Sequence, residues 1–249
     1  LKPSPEAIAR QLRHAPRRLI ALDYDGTLAP YENDPRLIAI PSGTISTILA
    51  WAQVPRCEVA VISGRELDDV KRRLPPSVHT VGSHGRESDF WPDEGPMFPQ
   101  KAVREWLESR LGSISVGWNP KRFGLGVDLR PLSPEERLEA RGRLMVDCPV
   151  PGVKALFGRS SFEYVSSGAP DKGDAVRRLM TLFGIPEEGV VAIGDEVTDE
   201  DMFGALPHGI TIRVGEGTTV ARFRLGGLHE VALFLKRTLE DIEQDLSAG

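Results

Sequence analysis

The sequence predicts an α/β protein: a parallel sheet with helices on both faces, interrupted by a smaller α+β unit with an antiparallel sheet. Three observations carry that prediction. Short apolar runs that end in polar turns alternate with longer amphipathic stretches toward both ends of the chain, the order expected of a parallel sheet and its crossover helices. From about Phe98 to about Pro170 the order changes to helix, two strands, helix, two strands. Acidic or glycine-containing turns follow several of the apolar runs directly, and an open α/β sheet places its ligands at such strand ends.

The elements follow in order. Arg18–Leu22 is short, nearly all apolar and closed by a polar turn, as a buried strand is. Ser42–Gln53 reads as a helix with Ile45, Ile48, Leu49 and Ala52 on one face. Val59–Ile62 is a second buried strand, Glu66–Leu74 a charged helix and His79–Val81 a third strand. In the interrupting unit, Lys101–Leu111 is an amphipathic helix, and Ser113–Trp118 and Phe123–Leu129 are strands around a turn at Asn119-Pro120. Ser133-Pro134-Glu135-Glu136 opens the next helix with a capping box. Val153–Phe157 and Ser161–Val165 complete the unit as strands. Beyond it, Asp171 caps a helix closed by Gly184. Gly189–Ile193 and Ile210–Val214 are strands around a short helix, Thr198–Leu206, and a last helix carries Val231, Phe234, Leu235 and Ile242.

Composition narrows the function classes. The 249 residues carry a net charge of −5 with 40% hydrophobic and 27% charged side chains, values of an ordinary folded protein that can bury a core unaided. No apolar run approaches a membrane span, and the mild acidity argues against a nucleic-acid partner. Cys57 and Cys148 cannot build a disulfide framework and suit a reducing cytoplasm. The start, Leu1–Pro5, lacks the apolar core of a signal peptide, and the absence of an initiating Met leaves room for residues before it.

Four motifs carry chemistry. Asp23-Tyr24-Asp25-Gly26-Thr27 follows the first buried strand. Both carboxylates would face the crevice beyond the sheet, where two acids one residue apart repel each other unless a cation joins them. Mg2+ suits this pattern because it takes oxygen ligands and shares its shell with phosphates. The bland alternative is an Asp/Gly turn, but four fixed letters at a strand end favour the chemical reading. In Gly194–Glu200, Asp195 stands where a third oxygen ligand is expected, and Asp199 falls in the first turn of the next helix, where an acid also suits the dipole. Glu196, Glu200 and Asp201 read as capping acids. Ser63-Gly64-Arg65 offers a hydroxyl, an open peptide N–H and a helix start, a natural though singly weak phosphate cradle. In Asp171-Lys172-Gly173 a lysine at a helix start runs against the dipole, so it serves something beyond the helix. His84, in Gly82-Ser83-His84-Gly85, either lines the site or is a surface turn histidine. No zinc spacing, Walker motif, nucleophile elbow or dinucleotide fingerprint is present.

In this order, and at these strand ends and helix starts, the motifs resemble the haloacid dehalogenase superfamily of phosphotransferases. Within it, Leu22–Pro30, Val61–Arg65, Val81–Glu87, Asp171–Gly173 and Gly194–Phe203 are similar to the trehalose-6-phosphate phosphatase family. The resemblance implies a Rossmann-like haloacid dehalogenase core over residues 1–97 and 168–249, with an inserted α+β cap over 98–167. It implies that Asp23 is the nucleophile and Asp25 the general acid and base, with Ser63, Gly64 and Lys172 on the phosphate. Mg2+ would be held by Asp23, Asp195 and the Asp25 carbonyl, with Asp199 at its edge or orienting Lys172. Arg65 and His84 would face the substrate from the core, and Asn119, Lys121, Arg130 and Glu163 from the cap. Three cap positions depart from the family: Asn119 stands where a charge is expected, Asp128 replaces a His, and Val165 falls where Arg is common.

The implied activity is Mg2+-dependent hydrolysis of trehalose 6-phosphate in the cytoplasm, paired functionally with a trehalose-phosphate synthase. The cap departures motivate one alternative, a phosphatase for sucrose phosphate or a glycosyl-phosphoglycerate. A non-catalytic phosphosugar-binding module is another, and the intact Asp23, Asp25, Lys172 and Asp195 speak against it.

Overall fold

The structure, a computed structural model, describes residues 1–32, 37–91, 97–158 and 161–247. Its strands are β1 (Arg18–Leu22), β2 (Cys57–Ile62), β3 (His79–Gly82), β4 (Glu87–Ser88), β5 (Gly117–Lys121), β6 (Gly124–Asp128), β7 (Val153–Phe157), β8 (Ser161–Ser166), β9 (Val190–Gly194), β10 (Ile210–Val214) and β11 (Phe223–Leu225). Its helices are α1 (Pro5–His14), α2 (Ser42–Trp51), α3 (Leu67–Lys71), α4 (Gln100–Leu111), α5 (Pro134–Leu144), α6 (Lys172–Phe183), α7 (Asp199–Gly204) and α8 (Leu228–Ser247). The chain divides into two compact units, Leu1–Pro92 with Pro170–Gly249, and Asp93–Ala169.

In the larger unit the sheet order is β11-β10-β9-β1-β2-β3-β4, parallel throughout except for β4 against β3. The central strands read as apolar runs because both faces are covered. Ile20, Leu22, Val59, Val61, Val191 and Ile193 pack with α1, α2 and α8, while Leu19, Ala21, Ala60, Ile62 and Ala192 pack with α6 and α7. The α/β class and the cladding of both faces agree with the sequence reading. The helix expected over Glu66–Leu74 is shorter, Leu67–Lys71. Three elements were not anticipated: α1, β4 and β11. The first was legible, since Ser4 caps it, Pro5 takes its first turn and Ile8, Ala9 and Leu12 form its buried stripe.

The smaller unit carries an antiparallel sheet in the order β5-β6-β8-β7. Helices α4 and α5 bury Val103, Leu107, Leu111, Ala140 and Leu144 with Leu125, Val127, Phe162 and Tyr164 from one sheet face. The turn expected at Asn119-Pro120 lies instead at Arg122-Phe123, and both residues belong to β5. β5 is an edge strand, where a proline's missing N–H breaks no ladder bond. On the opposite face, Asn119, Gly126 and Glu163 form one rung and Lys121, Gly124 and Val165 the next. The two glycines leave the middle strand without side chains there, and Lys121 Nζ reaches across it to Glu163 Oε2 at 2.6 Å.

None of the described helices is long and apolar enough to cross a membrane. Ile193 is fully buried and lies between Leu22 and Ile212 in the sheet. Replacing it with alanine should cost about 2–5 kcal/mol in denaturant unfolding; a loss below about 1 kcal/mol would mean that the strand is not packed as described.

Candidate active site

Three neighbouring parallel strands end at one edge of the larger sheet, and each hands its next polar residue to that edge: Asp23 after β1, Ser63 after β2 and Asp195 after β9. The backbone continues the ladder for one step, with the Asp23 N–H donating to the Ile193 carbonyl at 2.9 Å. A fourth side chain arrives from the start of α6. There Asp171 and Asp174 close a reciprocal capping box around the first turn, which fixes Lys172 despite the unfavourable dipole.

Lys172 is fully enclosed, and its Nζ donates to Asp23 Oδ1 at 2.5 Å and to Asp199 Oδ1 at 2.7 Å. Asp199 Oδ2 accepts the N–H groups of Asp195 and Glu196 at 2.9 and 2.8 Å. With three acceptor positions used, Asp199 serves mainly to hold Lys172 and the loop after β9. Its approach depends on Gly194, where a Cβ would lie 2.2 Å from Asp199 Cγ. Asp23 is different: Oδ2 takes no hydrogen bond from the described residues.

Electrostatics show what the cluster lacks. One ligand oxygen from each of Asp23, Asp195 and Asp199 lies within 4.8 Å of the others. Burial, with Asp199 and Asp195 adding to it, pushes the Asp23 carboxyl well above its usual range despite Lys172. Burial followed by the Asp199 and Glu196 charges raises Asp195 to about 7. Burial opposes the Lys172 ammonium, but Asp199 and Asp23 outweigh it and keep the pKa above the usual lysine value. Three carboxylates against one ammonium leave excess negative charge, and the donors are all hard oxygens. That set fits a divalent cation such as Mg2+, with Asp23 and Asp195 holding the open oxygen positions.

The other predicted residues fall into distinct places. Ser63 is buried, its Oγ accepts the Arg65 N–H at 3.1 Å, and its own proton is uncommitted among the described residues. The His84 imidazole lies on Gly64, where a Cβ would stand 2.5 Å from Cε1. Ser83 and His84 both adopt left-handed φ, 48° and 58°, a strained pair for residues with side chains. Bonds from Ser83 N to Arg65 O and from His84 N to Ser63 O hold them there, at 2.7 and 2.9 Å.

Asp25 turns away from the three clustered carboxylates. Arg65 grips it in bidentate fashion, Nε to Oδ2 and Nη2 to Oδ1, both at 2.7 Å, while Nη1 donates to Asp69 Oδ2 at 2.8 Å. The guanidinium expected to face substrate is therefore committed within the core, and Asp69 enters unanticipated. Tyr31, also unanticipated, donates its hydroxyl to Asp195 Oδ2 at 3.0 Å, and Thr27 Oγ1 donates to Oδ1 at 3.4 Å. No motif marks Tyr31; only the folded turn reveals it. In the smaller unit Asn119, Lys121 and Glu163 share the glycine-floored face, and Arg130 is paired with Asp128 through Nε–Oδ1 at 2.9 Å and Nη2–Oδ2 at 2.8 Å.

The sequence signature of a haloacid dehalogenase-like hydrolase matches residues 156–221. A trehalose-phosphate phosphatase of Mycobacterium marinum is 30% identical over 89% of this chain and 61% of its own length. One of Mycobacterium avium is 29% identical over 90% and 63%. The chain thus spans about three fifths of these relatives. Among solved structures, the C-terminal domain of Candida albicans trehalose-6-phosphate phosphatase superposes with a TM-score of 0.86 at 19% identity, covering 96% of this chain and 97% of that one. A trehalose-6-phosphate phosphatase related protein gives 0.69 at 25% identity, covering 91% and 99%.

A pH dependence follows from the crowded acids. Asp195 titrates near 7 in the folded, cation-free chain against an ordinary 3.8, so the folded state binds the extra proton between those values. Stability from this group falls as pH rises through that window and is level above it. Thermal melts in a chelator should show the fall from about pH 4 to 7, and Asp195→Asn should lessen its slope, with the raised Asp23 supplying the remainder. Equal slopes in the two proteins would contradict the assignment.

Proposed function

We propose that the chain is a member of the haloacid dehalogenase superfamily and a Mg2+-dependent phosphatase converting trehalose 6-phosphate to trehalose and inorganic phosphate. The observation that carries the phosphoryl-transfer part is Lys172, buried between Asp23 after β1 and Asp199 at the start of α7. The sugar rests on the relatives, which are trehalose-phosphate phosphatases along most of this chain.

In this reading Asp23 Oδ2, the oxygen left open by Lys172, attacks phosphorus. A bond forms from Asp23 to phosphorus, the bond from phosphorus to the sugar oxygen breaks, and Asp25 protonates the departing oxygen. Water then attacks phosphorus, Asp25 takes its proton, and the Asp23 carboxylate is released. Both Asp25 oxygens accept from Arg65, and each keeps a further lone pair through which the proton can be given and taken. Ser63, the Gly64 peptide and Lys172 hold the phosphoryl oxygens. A divalent cation held by Asp23, Asp195 and the Asp25 carbonyl would keep Asp23 ionised and offset charge on the transferring group. His84 borders the phosphate turn, and Arg65 acts on Asp25 rather than on substrate.

We assign the smaller unit the role of a cap that selects the sugar through Asn119, Lys121 and Glu163. Lys121 and Glu163 already pair with each other, so selection falls on sugars whose hydroxyls can join or replace that pair. We assign the reaction to the cytoplasm, a reading the two free cysteines support, and propose a trehalose-phosphate synthase as its functional partner. A second reading, a different sugar phosphate, is favoured by Arg130 being tied to Asp128 and by the apolar Val165 on the same sheet face as Glu163.

The test is phosphate release with Mg2+ from trehalose 6-phosphate beside sucrose 6-phosphate, glucose 6-phosphate and a glycosyl-phosphoglycerate. A preference of about a hundredfold for the first supports the proposal; a comparable preference for another ester moves the substrate and keeps the chemistry. Asp23→Asn should abolish release while the circular dichroism melt persists, and substantial residual turnover would remove Asp23 as nucleophile. Glu163→Ala should lower kcat/KM on the cognate sugar phosphate by about 10-fold or more, yet leave a small aryl phosphate nearly unaffected. Equal losses on both would count against a sugar-gripping role.

A further inference from the structure

Asp195 is the clustered acid with the weakest reason to stay. It is repelled by Asp199 and Glu196, and Lys172 is already engaged by Asp23 and Asp199. Left to itself, a carboxylate in that position would rotate toward water. Two hydroxyls oppose the rotation: Thr27 donates to Oδ1 at 3.4 Å and Tyr31 to Oδ2 at 3.0 Å. With both bonds in place, Asp195 still converges within 4.8 Å of Asp23 and Asp199, so the grip is compatible with the clustered rotamer.

Tyr31 reaches this point because the chain folds back on itself. The N–H groups of Leu28 and Ala29 donate to Tyr24 O at 3.0 and 2.9 Å, and Gly26 N donates to Ala29 O at 2.7 Å. Gly26, at φ 82°, leaves the space: a Cβ there would lie 2.3 Å from Asp195 Oδ2 and 2.5 Å from Tyr31 Cε2. The ring is 45% exposed, so removing its hydroxyl opens no core cavity.

We infer that Tyr31 is a positioning residue for the divalent-cation site, fixing Asp195 in its ligating rotamer before the cation arrives. The inference rests on the cation part of the proposed function and not on the identity of the sugar. A hydrogen bond that orients a ligand in this way typically changes metal affinity 10- to 100-fold.

The experiment compares wild type, Tyr31→Phe and Asp195→Asn in Mn2+ titrations by calorimetry and by electron paramagnetic resonance. Tyr31→Phe should bind Mn2+ about 10-fold more weakly, with a melting temperature in chelator equal to wild type. At saturating metal its kcat should return to near the wild-type value, so that the loss appears in the metal requirement and not in the chemistry. Equal Mn2+ affinity in Tyr31→Phe and wild type would overturn the inference, as would an affinity loss matched by a lower melting temperature in chelator. If wild type binds Mn2+ no better than Asp195→Asn, the cation reading and this inference fall together. If the affinity difference holds while trehalose 6-phosphate is not hydrolysed, the inference stands and only the substrate assignment fails.

Discussion

A buried ammonium shared by two buried carboxylates organises this molecule. Lys172 cannot be enclosed without partners, and Asp23 and Asp199 cannot be enclosed without a cation. Each therefore depends on the others arriving from separate segments. The central strands deliver Asp23 and the loop before Asp199 to one edge, α6 delivers Lys172 by its capping box, and Gly194 lets Asp199 close over the strand end. The apolar packing on both sheet faces supplies the low-dielectric wall that makes these pairs strong.

The remaining negative charge gives the cluster its chemical direction. Asp23 and Asp195 are held as acids that resist ionising without added positive charge, which is the condition under which a divalent cation and a phosphate are both welcome. The second carboxylate of the first motif is kept apart by Arg65, itself anchored on Asp69. One short segment thus holds two acids in opposite environments, one in a crowded anionic cluster and one in a guanidinium fork.

Much of this was legible before folding. Buried parallel strands announce themselves as apolar runs, and the acids at their ends, like the lysine set against its helix dipole, stand out because local preference cannot explain them. What escaped reading depends on partners distant in sequence. Arg65 meets Asp25 across 40 positions and Tyr31 meets Asp195 across 164, and no periodicity records either meeting. β4 and β11 are too short to show an alternation. Pro120 misled because its penalty vanishes on an edge strand, a property of the sheet order and not of the residue.

Covalent trapping tests the proposed chemistry most directly. Trehalose 6-phosphate carrying a radiolabelled phosphorus is mixed with the protein and Mg2+, quenched in acid within a turnover, and the chain is isolated. Attack by Asp23 predicts label on the protein that hydroxylamine removes, and borohydride reduction that converts residue 23 to homoserine. Rapid formation of labelled phosphate with no label on the chain, or label on a different residue, would contradict it.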